Sequence, residues 1–440
     1  MMFSGYLRYF IFHIASFFYF YFEKFGRWIN EIHPRWYLAT IFGITIFTFL
    51  YIKLRYPFWN IQPVYHTYDF WRKWLSSPFV IQKTVPQKTK FCDFNNIQTG
   101  NFLNMGENVL QQISDILLSN YIPSDQILYT ITPKQITEYL TGQNHYSFVS
   151  IYFDKQTIQN ENEDFGKSVF EYKYLPIGCV TSRSMNVFLA PHNKNSSYTK
   201  IPCYYWDFLC IHREHRIKNL ARNLIQTHEY NQRVKNPGVL VSLFKKEGVL
   251  SQGITPITEY NTYTFPLPTF KFSKLPEHIV LVPIDSTNLG DFTDFLQKGS
   301  VIFQCSILPD LGALSTLIRN RHLYVYLMKK RDHVLGVYFF KDAKMQYEEY
   351  DGCGIQCIGS IMNCNSSDVF YLGYLHSLQK ATWKTAYKVV LFDELAHNGL
   401  IWRFFSEVNR QFSVHKNAYY FYNFVVPSSP FSAKDCLMLI

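Results

Sequence analysis

Two apolar stretches, separated by a short polar segment, open the chain. The first, at residues 3–22, is crowded with Phe and Tyr, and the second, at residues 36–52, carries no charge over 17 positions. Aromatic and basic side chains flank the second stretch, as interfacial anchors do. Because about 20 apolar residues cross a bilayer, we expect a membrane anchor at residues 1–55, with one helix at 36–52 and a candidate second segment at 3–22. Burial of both stretches as core helices, or cleavage of the first as a signal peptide, remains an alternative.

Beyond residue 55 the apolar positions alternate between helical and strand periods. Helical spacing predicts helices at 109–120, 133–140, 216–230, 292–297 and 369–383. Alternating or short β-branched runs predict strands at 147–153, 175–180, 207–211, 239–244, 279–283, 334–340, 354–362, 389–392, 419–426 and 437–440. A Pro-rich passage at 264–276 lies between two halves of similar element order, 56–265 and 266–440. The pattern predicts an α/β (α+β) fold with two tandem halves.

Composition narrows the class of partner. Hydrophobic residues make up 48% of the chain, which is enough for a packed core. The formal net charge of +10 is spread along the sequence, so it suits a phosphate-bearing ligand or an anionic membrane surface but not a nucleic acid. The nine Cys are odd in number and irregularly spaced, which indicates free thiols. Cys353, Cys357 and Cys364 lack a fourth ligand at zinc-site spacing, and we expect no metal.

The segment 207–221 carries the sharpest local signal. An apolar strand ends in a loop that holds Arg213, Arg216 and Lys218, and a helix follows. Exposed N–H groups at the start of a helix bind phosphate, and neighbouring cations strengthen that binding. The segment therefore predicts an anion site, and a solvated basic helix face is the alternative.

This segment resembles the acyl-CoA-binding segment of N-myristoyltransferases, which are built from two halves of the GCN5-related acetyltransferase fold. The matching residues are Phe208-Leu209-Cys210-Ile211-His212 and Arg216-Ile217-Lys218-Asn219-Leu220-Ala221. Four further places agree in order: residues 56–64, residues 120–122 with 132–140, residues 249–260, and residues 419–424 with the ending 433–440. The resemblance spans about residues 56–440 and implies two tandem acetyltransferase-like halves with mixed sheets, the first binding acyl-CoA and the second binding a peptide.

The resemblance also implies a reaction and its residues. A long-chain acyl group, myristoyl in the family, would pass from acyl-CoA, a co-substrate rather than a bound cofactor, to the N-terminal glycine of a peptide or protein. The backbone N–H groups of Phe208 and Leu209 would form the oxyanion hole, and the carboxylate of Ile440 would be the base. The implied acyl-CoA contacts are Tyr56, Phe58, Trp59, Phe208, Leu209, Cys210, Ile211, Arg216, Ile217, Lys218, Asn219, Leu220 and Ala221. We expect the enzyme at a membrane with its catalytic domain in the cytosol.

The sequence departs from the family pattern mainly on the peptide side. The acidic loop of the family is reduced to residues 123–126, Asn261-Thr262 replaces a Trp-His pair, and residues 413–417 replace a glycine-rich turn. Two other functions therefore stay open. One is a catalytically degenerate, membrane-anchored relative that binds acyl-CoA or serves a structural role. The other is an acyltransferase that acts on lysine or a small amine.

Overall fold

The computed structural model describes residues 34–75, 77–122, 124, 126–161, 168–191, 198–269, 273–285, 287–300 and 302–440. The chain divides into two compact units, one ending at Ile61 and the other running from Gln62 to Ile440.

The first unit contains helix α1, Pro34–Arg55, followed by a 3-10 turn at Trp59–Ile61. The helix therefore forms where the apolar pattern predicts one. Within the part of the chain that the structure describes, however, no helix has both the length and the apolar character needed to cross a bilayer. The predicted membrane-spanning anchor is thus not supported. The candidate segment at 3–22 lies outside the described residues.

The second unit is organised around one mixed sheet of 15 strands. Its central order is β17-β10-β5-β6-β7-β15-β8-β14-β13-β12-β11-β9, with β2 and β4 added beside β5 and β3 beside β12. The strands are β1 Phe79–Val80, β2 Ile97–Asn101, β3 Ile127–Tyr129, β4 Phe148–Glu161, β5 Ser168–Leu189, β6 Thr199–Ile211, β7 Val241–Glu247, β8 Thr258–Pro266, β9 Ile279–Pro283, β10 Cys305–Pro309, β11 Leu323–Lys330, β12 His333–Tyr347, β13 Gly352–Met362, β14 Tyr387–Asp393, β15 Ser413–Tyr422, β16 Phe424–Val425 and β17 Cys436–Met438. Strands β1 and β16 form a separate pair.

Helices cover the sheet and bury their apolar faces against it. They are α2 Glu107–Asn120, α3 Pro133–Leu140, α4 Leu220–Lys235, α5 Leu289–Ser300, α6 Leu311–Arg319, α7 Ser367–Thr382 and α8 Asn398–Val408. Helix α3 starts with a capping box, in which the Thr132 side chain accepts from the N–H of Gln135 and the Gln135 side chain accepts from the N–H of Thr132. Such a cap provides hydrogen-bond acceptors for two N–H groups that would otherwise be unpaired at the start of the helix.

The α/β class and the mixed sheet confirm the prediction from the sequence. Most predicted elements are present, often longer than predicted, because cross-strand pairing extends β6 and β12 well beyond their apolar runs. The sequence reading missed the following elements entirely: α6, α8, β1, β2, β3, β8, β10 and β11. The division of the second unit at residues 265 and 266 stays a prediction.

Candidate functional site

A bulge near the end of β6 places the backbone of Phe208 and Leu209 outside the regular ladder. Pairing with β5 runs in register up to Asp207 and resumes at Cys210, so Phe208 and Leu209 together oppose Val180. Phe208 adopts a φ of 53°, a left-handed conformation that costs a non-glycine residue about 1 kcal/mol or more. Its N–H donates to Oδ1 of Asp207 over 2.9 Å. The bulge thus turns a main-chain donor toward a carboxylate oxygen.

The same end of β6 borders an opening in the sheet. β6 and β7 run parallel, and their register ends at the pair Trp206 and Phe244. Both strands continue beyond that pair, β6 to Ile211 and β7 to Glu247. The last residues of β6 therefore have β5 on one side and no ladder with β7 on the other. Backbone groups at such an edge need partners from elsewhere, which makes the opening a candidate ligand site.

The phenol of Tyr139 joins the bulge to the end of the chain. Its ring lies against the ring of Phe208, with a centroid separation of 5.6 Å. Its hydroxyl accepts hydrogen bonds from Nη2 of Arg183 at 2.6 Å and from Nζ of Lys341 at 3.1 Å. The same Nζ donates to the main-chain oxygen of Ile440 at 3.2 Å. One tyrosine and one lysine therefore link the predicted oxyanion site to the predicted base.

The last strand carries Ile440 to this place. β17 lies parallel to β10, with Met438 opposite Ile307, and the N–H of Leu439 donates to the carbonyl of Ile307 at 2.9 Å. The side chain of Ile440 is buried in an apolar cluster that includes Tyr205 and Tyr419. Burial of the apolar ending thus fixes where its final oxygen lies.

The basic loop after β6 is a 3-10 turn, Arg213–Lys218, that is tied to the end of α2. The guanidinium of Arg216 donates to the carbonyls of Asn120 and Ile211, and the N–H of Arg213 donates to the Asn120 side chain at 2.9 Å. Both arginines therefore brace the loop against its neighbours. Of the predicted CoA contacts here, Arg216 has the clearest structural role.

Asn219 forms the junction between this turn and α4. It adopts a left-handed conformation with a φ of 56° and precedes the first helical residues, Leu220 and Ala221. N–H groups in the first turn of a helix lack partners within it and are suited to phosphate. Ile217 is 90% exposed, and Lys218 is exposed beside it. This geometry leaves the start of α4 accessible from solvent.

Cys210 and Ile211, at the other end of the loop, are buried. Burial raises the pKa of the Cys210 thiol to about 11, against the opposing charge of Arg216. A thiol of this kind is not a nucleophile near neutral pH, so its contribution to the site is packing.

One group of metal-ligand residue types forms in the described part of the chain: His212, Glu214 and His215, whose ligand atoms lie within 4.8 Å of one another. The ammonium of Lys218 is 3.4 Å from Nδ1 of His215, and two arginines lie in the same turn. These charges oppose a bound cation, so the group is better explained as part of the basic loop.

Three predicted CoA contacts belong to the first unit. Tyr56 continues the hydrogen bonding of α1 through its N–H to the carbonyl of Ile52 at 2.9 Å. Phe58 and Trp59 pack edge to face, with ring centroids 4.9 Å apart. Because the two units are described separately, the structure does not place these aromatic residues relative to Phe208.

Sequence reasoning missed a charged cluster at the ends of β7 and β14. Nζ of Lys245 lies 2.6 Å from Oε1 of Glu247. Although burial lowers the pKa of Lys245, Glu247, Tyr419 and Asp393 together outweigh that effect and hold the pKa above its ordinary value. Burial raises the pKa of Asp393 against the opposing effects of Lys245 and hydrogen bonds from Thr262 and Gln356. No local motif marks these residues, because separate strands bring them together.

No protein-family profile and no curated protein sequence matches the chain. Solved structures do match, and among them are three of N-myristoyltransferase from Saccharomyces cerevisiae. One with bound myristoyl-CoA has a TM-score of 0.61 at 11% identity, covering 86% of this chain and 94% of that one. A second with the same ligand has a TM-score of 0.62 at 11% identity, covering 86% and 90%. A third, with myristoyl-CoA and inhibitors, has a TM-score of 0.60 at 12% identity, covering 86% and 91%. The chain has an N-myristoyltransferase-like fold.

Proposed function

We propose that this chain transfers a long-chain acyl group, myristoyl by its structural likeness, from acyl-CoA to the N-terminal glycine amine of a peptide or protein. One observation carries the proposal: the β6 bulge presents the N–H of Phe208 to a carboxylate oxygen, beside an opening between two parallel strands. A thioester carbonyl needs such a donor, because negative charge builds on its oxygen as the amine attacks.

The thioester oxygen takes the place of the Asp207 oxygen at the Phe208 N–H, and the N–H of Leu209 is the second donor. Removing one such donor typically costs about 2.7–4 kcal/mol in the barrier. The acyl-CoA phosphates lie at the start of α4, where Leu220 and Ala221 supply N–H groups and Lys218 a cation. Arg216 keeps this loop in place by bonding two carbonyls.

The carboxylate of Ile440 receives the first proton of the attacking ammonium. The position of Ile440 supports this role. Lys341 donates to both the main-chain oxygen of Ile440 and the hydroxyl of Tyr139, and the ring of Tyr139 packs on Phe208. General base catalysis of this kind contributes about 10²–10⁴-fold to the rate.

Mass spectrometry with purified protein, myristoyl-CoA and a panel of glycyl peptides tests the transfer. We expect an acylated amino terminus on at least one peptide. Adding one glycine after Ile440 should lower turnover about 100-fold or more while the dissociation constant for myristoyl-CoA stays unchanged. One glycine added at the amino terminus is the matched control. Acyl-CoA binding without any acylated product would refute the reaction and favour a degenerate binding protein.

We also propose that the first unit brings the enzyme to a membrane surface with the catalytic unit in the cytosol. Large apolar side chains of α1, including Ile41, Phe42 and Phe47, are exposed. Flotation of the full-length protein with anionic vesicles tests this, and Phe42→Asp with Phe47→Asp should abolish it. An unchanged float fraction in that double variant would refute the contribution of α1.

A further inference from the structure

The proposed transfer leaves one proton without an acceptor. An ammonium carries one proton that it loses before attack and a second that must leave nitrogen before the tetrahedral intermediate can expel sulfur. If the second proton stays on nitrogen, the amine is the better leaving group and the reaction reverses. Once Ile440 holds the first proton it cannot accept another, so a second group near the thioester is needed.

Asp207 lies at the required place. Its Oδ1 accepts the N–H of Phe208 at 2.9 Å, which is the donor that the thioester oxygen would use. A thioester oxygen that accepts the same N–H would therefore occupy the place that this carboxylate oxygen now holds. When the thioester oxygen takes the N–H, the carboxylate must turn away, but its Cα remains one residue from the donor.

The surroundings hold Asp207 in this position. Its main-chain oxygen accepts from the hydroxyl of Thr181 at 3.3 Å across the β5–β6 ladder. Three phenols lie within electrostatic reach, and their pKa values are raised by burial and then by the Asp207 charge: Tyr121, Tyr129 and Tyr205. These phenols keep their protons near neutral pH and do not compete as acceptors.

We propose that Asp207 is a catalytic residue that takes the second proton of the acceptor nitrogen and passes it to the departing sulfur. This step rests on the proposed acyl transfer. The nitrogen forms its bond to the carbonyl carbon, the carbon–sulfur bond breaks with its electron pair going to sulfur, and the proton moves from nitrogen through the carboxylate to that thiolate. The products are the amide and CoA thiol, Asp207 regains its starting state, and Ile440 releases the first proton to solvent.

The test uses two acceptors that differ in the number of protons they must lose. A glycyl peptide needs both proton transfers, whereas the same peptide with a thioglycolyl group in place of glycine attacks as a thiolate and needs only the first. The variant is Asp207→Asn, which keeps an oxygen for the Phe208 N–H but cannot hold the proton. Asp291→Asn is the matched control, because its carboxylate side chain is 74% exposed.

We expect Asp207→Asn to lower kcat for the glycyl peptide by about 10²–10⁴-fold. Turnover of the thioglycolyl peptide and the dissociation constant for myristoyl-CoA should stay within about threefold of wild type, and their retention shows that the variant is folded. Extension after Ile440 should instead impair both acceptors, because both lose a first proton.

Equal losses on both acceptors in Asp207→Asn would overturn the proposal, since they would place Asp207 in thioester binding or in the fold. An unchanged kcat for the glycyl peptide would overturn it as well. A wild-type protein that acylates neither acceptor would refute the transfer itself. A selective loss on the amine, with the extension costing both acceptors, supports the assignment.

Discussion

Helix α4 follows the proposed phosphate-binding loop, and a buried carboxyl on its inner face makes its anchoring sensitive to pH. Glu229 is fully buried and accepts hydrogen bonds from the Ser242 hydroxyl at 3.1 Å and the Gln232 amide at 3.4 Å. Burial raises the pKa of Glu229 from 4.5 to about 7, although Arg233, 3.6 Å away, opposes the shift. The folded protein therefore binds the Glu229 proton more tightly than the unfolded chain does.

The sign of the effect follows from that difference. The stability that protonated Glu229 contributes is fully present below its unfolded pKa, near 4.5, and is lost as pH rises through about 7. Linkage arithmetic with these two values gives a loss of about 2–3 kcal/mol in unfolding free energy between about pH 5 and about pH 8. His228 beside it has its pKa lowered by burial to about 3, so its contribution runs the opposite way and is lost as pH falls below 6.5.

Glu229→Gln isolates the glutamate from the other titrating groups. Arg233 remains bonded to the carbonyls of Leu240, Gln82 and Thr84, so its charge keeps acceptors in the variant. Urea unfolding at about pH 5 and at about pH 8 gives the difference in unfolding free energy between variant and wild type at each pH. We expect that difference to move in favour of the variant by about 2–3 kcal/mol between the acid and the alkaline measurement.

The control is Glu259→Gln, because Glu259 is exposed and pairs with Lys416 at the surface. Its free-energy difference from wild type should not change measurably with pH. A difference for Glu229→Gln that stays constant from about pH 5 to about pH 8 would refute the reasoning, since it would show that Glu229 has the same proton affinity in both states.

Three further outcomes follow from packing. Phe370→Ala should lower the unfolding free energy by about 3–5 kcal/mol in urea melts, because the ring is fully buried. Gly142→Ala should destabilise by more than about 1 kcal/mol in the same assay, because φ is +78° and a Cβ would lie 2.6 Å from the carbonyl oxygen of Gly312, whereas Gly290→Ala, with open space around it, should not. Arg216→Gln should raise the myristoyl-CoA dissociation constant about tenfold by calorimetry, because the loop loses two charge-assisted bonds.

The strand–loop–helix unit around residues 207–221 could be predicted because its signals are local. An apolar run, a basic loop and a helical period follow one another within fifteen residues, and the structure has β6, a 3-10 turn and α4 in that order. The apolar ending likewise forms a buried strand, β17. Both elements depend on patterns among neighbouring residues, and those patterns do not depend on the order of strands in the sheet.

The membrane-spanning anchor is not supported within the described residues, although α1 forms where the apolar run predicts a helix. Local apolar periodicity predicts such a helix but not the surroundings in which it lies. The missed strand β10 shows the opposite limit. Its five residues, Cys305–Pro309, are all buried and pair with both β5 and β17, so the sheet rather than local periodicity defines it.

The polar centre beside Phe208 could not be predicted because it is assembled over long sequence separations. Arg183 lies on an otherwise unremarkable stretch of β5 and is fully buried, and its Nε and Nη1 have no hydrogen-bond partner among the residues that the structure describes. Lys341 comes from β12, about 160 residues further along the chain, and both cations meet at Tyr139. The order of the strands and the packing of α3 together bring these three side chains into contact.

The charged cluster of Lys245, Glu247 and Asp393 predicts a preference among glycyl peptides, if it faces the bound peptide. Asp393 is buried and held by Thr262 and Gln356, and Lys245 is largely buried beside Glu247. Groups of this kind lose solvation on folding, and an apolar acceptor packed over Lys245 and Glu247 would remove what water remains without replacing its hydrogen bonds. A peptide whose own polar groups can form hydrogen bonds with Lys245 and Glu247 avoids that loss. We therefore expect peptides with polar residues after the glycine to have higher kcat/KM than matched apolar ones, and a preference for the apolar series would show that this charged cluster does not face the acceptor.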